Sequence, residues 1–185
     1  MKFTSLRWNF FSILVLLLGG GWILISAASP GDTTSGQIPA PRQGFLAPNF
    51  SLQDLQGETI TLSELRGRPV LINLWATWCP PCRAEMPDMQ IVYDAYRERG
   101  LVILAINATY QDSASAAASF VDEYGLTFPI LMDTSGETSR KYQMRALPTS
   151  FFVDGEGIIR DVVVGGPMSP ALLRVRVEEL LGESP

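Results

Sequence analysis

Residues 75–87 read Trp75-Ala76-Thr77-Trp78-Cys79-Pro80-Pro81-Cys82-Arg83-Ala84-Glu85-Met86-Pro87. Immediately upstream, residues 69–75 form a nearly continuous apolar run, the pattern of a strand buried on both faces. Downstream, Pro80 and Pro81 suit the first turn of a helix, where their missing N–H groups would have had no partner. Cys79 and Cys82 therefore stand at a strand-to-helix junction, about one helical turn apart. That spacing brings the two sulfurs within disulfide reach, and a helix N-terminus favours a thiolate on the first of them. The pair reads as a dithiol switch. With neither proline able to donate, the Cys82 N–H is the natural donor to the Cys79 sulfur, so the thiolate gains little and the site is expected not to be strongly oxidising.

Composition removes most other chemistries. The chain has 185 residues, two cysteines and no histidine. Histidine-based acid-base catalysis, Cys/His zinc sites and His-ligated haem are thereby excluded. A zinc half-site at the cysteines would lack two ligands, and Arg83 stands where a c-type haem anchor needs histidine. No metal site is expected. A static disulfide across so short a loop would stabilise only modestly. The net charge of −5 offers no basic field for phosphates, so nucleic acid is not an expected partner.

Working outward from the cysteines, short β-rich runs alternate with helical stretches, the pattern of an α/β domain with helices packed on a central sheet. Strands are expected at 59–62 (an edge strand), 69–75, 101–106, 128–132, 150–153 and 158–164, the last two joined antiparallel by Asp154-Gly155-Glu156-Gly157. Besides the helix from Pro80, one is expected at 113–124, stopped by Gly125. Another follows Ser169, with Pro170 at its first position and Gly182 after it.

At the N-terminus, Lys2 and Arg7 precede an uncharged run, residues 8–28, in which 15 of 21 residues are apolar. As a helix it would reach roughly 30 Å, one hydrocarbon core. Residues 1–28 are thus expected to be a transmembrane signal-anchor, with a cleaved signal peptide ending near Ser26-Ala27-Ala28 as the alternative. Either way the positive flank stays inside and the rest lies on the extracytoplasmic face. Residues 29–44, ten of them Ser, Thr, Pro or Gly, read as a flexible linker, and residues 45–185 as the folded domain. Beyond the apolar run the chain carries 12 basic and 19 acidic residues, a charge of −7 that should not adhere to anionic lipid.

The segment 75–87 resembles the active-site segment of TlpA/ResA-type thiol-disulfide oxidoreductases of the thioredoxin superfamily. The likeness extends over residues 45–182. Ala47-Pro48-Asn49-Phe50 with Gly57 and residues 62–67 is similar to that family's N-terminal hairpin region, and Leu147-Pro148-Thr149 followed by Phe152-Val153-Asp154 to its cis-proline segment. The resemblance implies a thioredoxin-like fold, a central mixed β-sheet flanked by helices, with an N-terminal hairpin and a central insertion. It implies that Pro148 is cis beside Cys79, with Leu147 and Thr149 offering backbone groups to an extended substrate. Proline has no N–H, so this loop can face a sulfur without donating to it. Trp78 is expected at an apolar substrate rim and Trp75 in the core. Pro87, inside the helix, should bend it.

One departure concerns a proton acceptor. Thioredoxin proper carries a buried Asp where this chain has Asn73. Glu85, three residues past Cys82, matches a Glu common in the TlpA/ResA group, and a partly buried carboxylate there could exchange a proton with Cys82. The resemblance implies a membrane-tethered reductase of protein disulfides, of the cytochrome c maturation type. Cys79 would attack, Cys82 resolve, and Glu85 serve the proton, with no cofactor besides the Cys79–Cys82 pair. A membrane thiol transporter of the CcdA/DsbD type would be the electron donor, and apocytochrome c a substrate. Two alternatives are a peroxiredoxin-like peroxidase and a tethered, non-catalytic module binding Cu(I) or a partner. The first requires Thr three residues before the peroxidatic cysteine, where this chain has Ala76.

Overall fold

The structure, a computed structural model, describes residues 38–182. The apolar run 8–28 and the linker up to residue 37 lie outside the described residues. Within them, no helix is long and apolar enough to cross a membrane. Residues 39–44, read as the end of the linker, are bonded to the domain: Gly44 N–H donates to the Ile159 carbonyl, and Ala40 N–H to that of Leu46, which itself bridges to Ile158.

The central sheet has five strands in the order β5-β4-β3-β6-β7. They are β3 (Val70–Trp75), β4 (Val102–Asn107), β5 (Ile130–Met132), β6 (Thr149–Val153) and β7 (Ile159–Val164). β3 runs parallel to β4 and antiparallel to β6, so the sheet is mixed. Alternation along β3 explains its apolar run: Val70, Ile72 and Leu74 face one core, Leu71 and Trp75 the other. Every residue of β3 and of β4 is buried. Asn73 breaks the pattern, a polar residue at 0% exposure in the middle of the central strand.

Helix α1 (Pro80–Tyr96) follows β3 and continues through Pro87, burying Met86, Met89 and Val92 on the same core as Leu71 and Trp75. Each such side chain contributes about 1.5–3 kcal/mol on burial. Helix α2 (Ala114–Tyr124) adds Ala117 and Phe120 there, and α4 (Pro170–Leu180) adds Leu173 and Val177. The expected ends form: Ser169 Oγ accepts from the Leu172 N–H and Gly125 takes a left-handed conformation, while Ser113, read as the first helical residue, instead caps α2 by accepting from the Ala116 N–H. The opposite core is closed by Ala47, Phe50, Leu62 and Tyr142, whose hydroxyl donates to the Pro48 carbonyl at 2.8 Å. α2 links β4 to β5, which supplies the edge strand beside β4.

Two expectations change in detail. Residues 59–62 are not an edge of the main sheet: β2 (Thr59–Thr61) pairs only with β1 (Ser51–Gln53) in a separate hairpin, and Leu62 turns inward to open a 3-10 turn. The short helix α3 (Glu137–Lys141) was not anticipated, because five mostly polar residues carry no helical apolar period.

The chain leaves α3 by an unusual residue. Gln143 has φ 49°, the left-handed region, with its N–H bonded to the Arg140 carbonyl and the Met144 N–H to that of Ser139. This pairing closes the helix end in the manner usually assigned to glycine. A side chain there costs about 1–2 kcal/mol, offset in part by the greater entropy a glycine loses on folding. Gln143→Gly should therefore raise stability by about 0.5–1 kcal/mol, read as a higher urea midpoint at unchanged slope. A lower midpoint would show that the side chain is not strained.

Candidate active site

Cys79 is the N-cap of α1. Its backbone is extended (φ −92°, ψ 107°), Pro80 and Pro81 occupy the first helical positions, and its Sγ accepts from the Cys82 N–H at 3.3 Å. The two prolines leave this N–H as the donor at the sulfur, as the sequence requires. Cys79 and Cys82 are joined in a disulfide with Cα atoms 5.3 Å apart. Their surroundings differ. Both are buried, Cys79 at 3% exposure and Cys82 at 0%, but Cys79 lines an open groove of about 470 Å³ and Cys82 does not.

Register brings the second segment to the site. Thr149 pairs with Leu74 near the end of β3, so the residues just before β6 lie beside the β3–α1 junction. The Leu147–Pro148 peptide is cis, and Leu147 lines the groove with Trp78 and Cys79. Pro148 and Thr149 are buried behind it, and the Thr149 hydroxyl donates to the Ala146 carbonyl at 2.8 Å. Trp78 stands 55% exposed with its Nε1–H on the Gln111 carbonyl, while Trp75 is wholly buried.

Glu85 is enclosed as completely as Cys82, one helical turn further along α1. Its Oε1 accepts from Asn73 Nδ2 at 2.7 Å and its Oε2 from the Met168 N–H at 3.1 Å. Asn73 also donates to Ser150 Oγ at 2.9 Å, and its own Oδ1 has no partner among the described residues. Burial pushes the Glu85 carboxyl above its ordinary range, and the Met168 and Asn73 donors pull the other way without cancelling it. The loop after β7 closes over this carboxylate. A Cβ on Gly166 would lie 2.7 Å from Pro148 Cγ and 2.8 Å from Glu85 Oε2, so only glycine allows the approach. The adjacent Gly166–Pro167 peptide is also cis, and the Gly165 N–H donates to the Pro148 carbonyl at 2.8 Å.

A third group holds the loop before Cys79. Asp112 accepts from the Thr77 N–H at 2.7 Å, the Thr77 hydroxyl at 2.6 Å, Asn107 Nδ2 at 2.8 Å and the Ser113 N–H at 2.9 Å. Burial alone would raise this carboxyl, but those donors hold it below its ordinary range. Asp112, Gly166, Met168 and Ser150 were not singled out from sequence. Only Gly165-Gly166-Pro167 carried a signal, that of a turn.

Three comparisons agree with this geometry. The AhpC/TSA family profile matches residues 44–162. The chain is 44% identical over 125 residues to the thiol-disulfide oxidoreductase ResA of Halalkalibacterium halodurans, covering 68% of this chain and 70% of that protein. It is 38% identical over 161 residues to the thioredoxin-like protein YneN of Bacillus subtilis, covering 86% and 90%. Among solved structures, a thiol:disulfide interchange protein of the thioredoxin family from Chlorobium tepidum superposes with TM-score 0.66 at 31% identity, covering 78% of this chain and 98% of that one. With a Cys-X-X-Cys disulfide at a helix N-terminus on a thioredoxin-like sheet, the chain belongs to the AhpC/TSA family as a ResA-like thiol-disulfide oxidoreductase.

Proposed function

We propose that this oxidoreductase is a membrane-tethered reductase of protein disulfides on the extracytoplasmic face. The observation that carries the reading is the asymmetry of the pair: Cys79 borders an open groove, while Cys82 is sealed in the core one helical turn before a buried carboxyl. In the reduced enzyme the Cys79 thiolate attacks a substrate disulfide, forming a mixed disulfide and releasing one substrate thiolate, which takes a proton from solvent. Glu85 then accepts the Cys82 proton, and the Cys82 thiolate attacks Cys79 Sγ. The second substrate sulfur leaves as a thiolate and takes a proton from solvent, and the enzyme holds the Cys79–Cys82 disulfide with the Cys82 proton on Glu85; two electrons have passed to the substrate.

Trp78, Tyr110 and Val164 are exposed large apolar side chains at this end of the molecule, Val164 pairing with Thr149 next to Pro148. They offer a docking face for an extended segment that runs past Leu147, Pro148 and Thr149. Re-reduction falls to a membrane thiol transporter of the CcdA/DsbD type, and apocytochrome c is a substrate of the required kind. The tether is the apolar run 8–28, followed by the Ser/Thr/Pro/Gly-rich linker. A peroxidase reading is disfavoured by Ala76, and the Thr77 hydroxyl, one residue late, is committed to Asp112. The non-catalytic alternative predicts stoichiometric uptake with no turnover.

The reduction potential tests the direction of electron flow. Equilibrated against a defined thiol buffer and followed by Trp fluorescence, the pair should titrate below about −220 mV, in the thioredoxin-to-glutaredoxin range. A value near −120 mV, that of a strong oxidant, would make the enzyme one that introduces disulfides.

Glu85 gives two further outcomes. Glu85→Gln should lower turnover by about 10²-fold and shift the cysteine titrations; unchanged turnover and titrations would remove the carboxylate from the mechanism. Stability provides an independent reading. The raised carboxyl binds its proton more tightly in the folded chain than in the unfolded one. Stability therefore falls as pH rises from the ordinary carboxyl range through the raised value, and levels off above it. Urea unfolding of the oxidised protein across that window should show this decline, and Glu85→Gln should abolish it.

A further inference from the structure

The groove beside Cys79 is lined by uncharged side chains, Trp78, Pro81, Tyr110, Met144 and Leu147 among them, with one exception. Arg145 is the single lining residue that is charged at neutral pH. It is exposed, and it makes no hydrogen bond or ion pair with any other described residue. The backbone that carries it is held at both ends. On one side the left-handed Gln143 and the Met144 N–H bonded to the Ser139 carbonyl fix the exit from α3. On the other, the Ala146 carbonyl accepts the Thr149 hydroxyl. A cation so placed, three residues before Pro148, faces whatever segment enters the groove. Asp112, the residue after the groove-lining Gln111, is itself committed to donors from Thr77, Asn107 and Ser113.

We infer that Arg145 is a specificity residue that selects protein disulfides carrying an acidic side chain close to the attacked cysteine. The inference rests on the reductase reading above. An extended segment advances about 3.3 Å per residue, so the side chains flanking a cysteine seated at Cys79 enter the groove that Arg145 also lines. Trp78, Tyr110 and Met144 receive an apolar neighbour on the same segment. The domain as a whole is acidic, so its long-range field does not favour an acidic partner. Arg145 therefore acts by contact, not by steering.

The test uses the full chain in detergent, reduced beforehand, and two synthetic peptides with an internal disulfide that differ only in Glu or Lys two residues from one cysteine. Rates of peptide reduction are followed by Trp fluorescence. Flanking charge alters the peptide's own thiol chemistry, so the readout is how the Glu-to-Lys rate ratio changes between enzyme variants. An exposed ion pair is worth up to about 1 kcal/mol, so Arg145→Gln should lower the ratio about two- to fivefold. Arg145→Glu, which substitutes repulsion for attraction, should lower it about tenfold, and Arg145→Lys should leave it near the wild-type value. A general disturbance of the site would slow both peptides alike and leave the ratio where it was. The same ratio in wild type, Arg145→Gln and Arg145→Glu would overturn the inference while leaving the reductase reading intact. Failure of the wild type to reduce either peptide would overturn that reading, and the inference with it.

Discussion

A helix that begins with two prolines has few N–H groups to give, and in this protein the first available one goes to a sulfur. Cys79 caps α1 through the Cys82 N–H, so the residue that closes the helix end is also one half of the redox pair. Much of the molecule serves that junction. β3 is central and buried on both faces, which fixes where α1 starts. The antiparallel pairing of β3 with β6 brings Pro148 alongside, and Asp112 reaches from the segment after β4 to hold Thr77 just upstream. Because the prolines withhold donors, the dithiol form gains little from the helix N-terminus, which favours a reducing pair over an oxidising one.

Beneath this junction the chain accepts a polar core. Enclosing a carboxyl is costly in its charged form, and each hydrogen bond to a charged group returns only about 1.5–3 kcal/mol. Glu85 has two such bonds, from Asn73 and Met168, and its carboxyl still lies above the ordinary range. The network joins segments far apart in sequence: Asn73 from β3, Glu85 from α1, Ser150 from β6 and Met168 from the loop after β7. Gly166 is what lets that loop approach. A carboxyl held this way can change protonation without solvent entering, which suits it to a sulfur that solvent also does not reach.

The parts legible in the sequence were those with local signals. Strand β3 and helix α1 follow from a nearly continuous apolar run ending at a Cys-Pro-Pro-Cys step, helix α2 from an Ala-rich stretch stopped by Gly125, and α4 from its Ser169 cap. The hairpin joining β6 and β7 follows from its Asp-Gly-Glu-Gly turn. Residues 59–62 were recognisable as a strand, but which strand they pair with depends on β1, three residues with no alternation long enough to read. At the site, Cys79 and Cys82 could be found by their spacing at a strand-to-helix junction, and Glu85, on the helix that Cys79 caps, through the resemblance. Asn73 stood out as the departure from thioredoxin's buried Asp, but its bonds to Glu85 and Ser150 had no local signal. Asp112, Gly166 and Met168 act through tertiary contacts 18 to 83 residues distant in sequence, and no local pattern announces such contacts.

The two ends of the active-site helix turn thus face different media, and this separation orders the proposed cycle. A substrate disulfide needs a sulfur that borders an opening, which Cys79 provides at the floor of the groove it lines with Trp78 and Leu147. The resolving step needs the opposite: a thiol that no second substrate can reach and a proton acceptor that bulk water does not compete with. Cys82 and Glu85, both fully enclosed and one turn apart, meet that requirement. If both sulfurs lay in the groove, either could form the mixed disulfide and neither would be reserved to release it. If both were enclosed, no protein substrate could enter. Placing the pair across a helix N-terminus, with the first residue outside the helix and the second inside, solves both problems with three residues of chain.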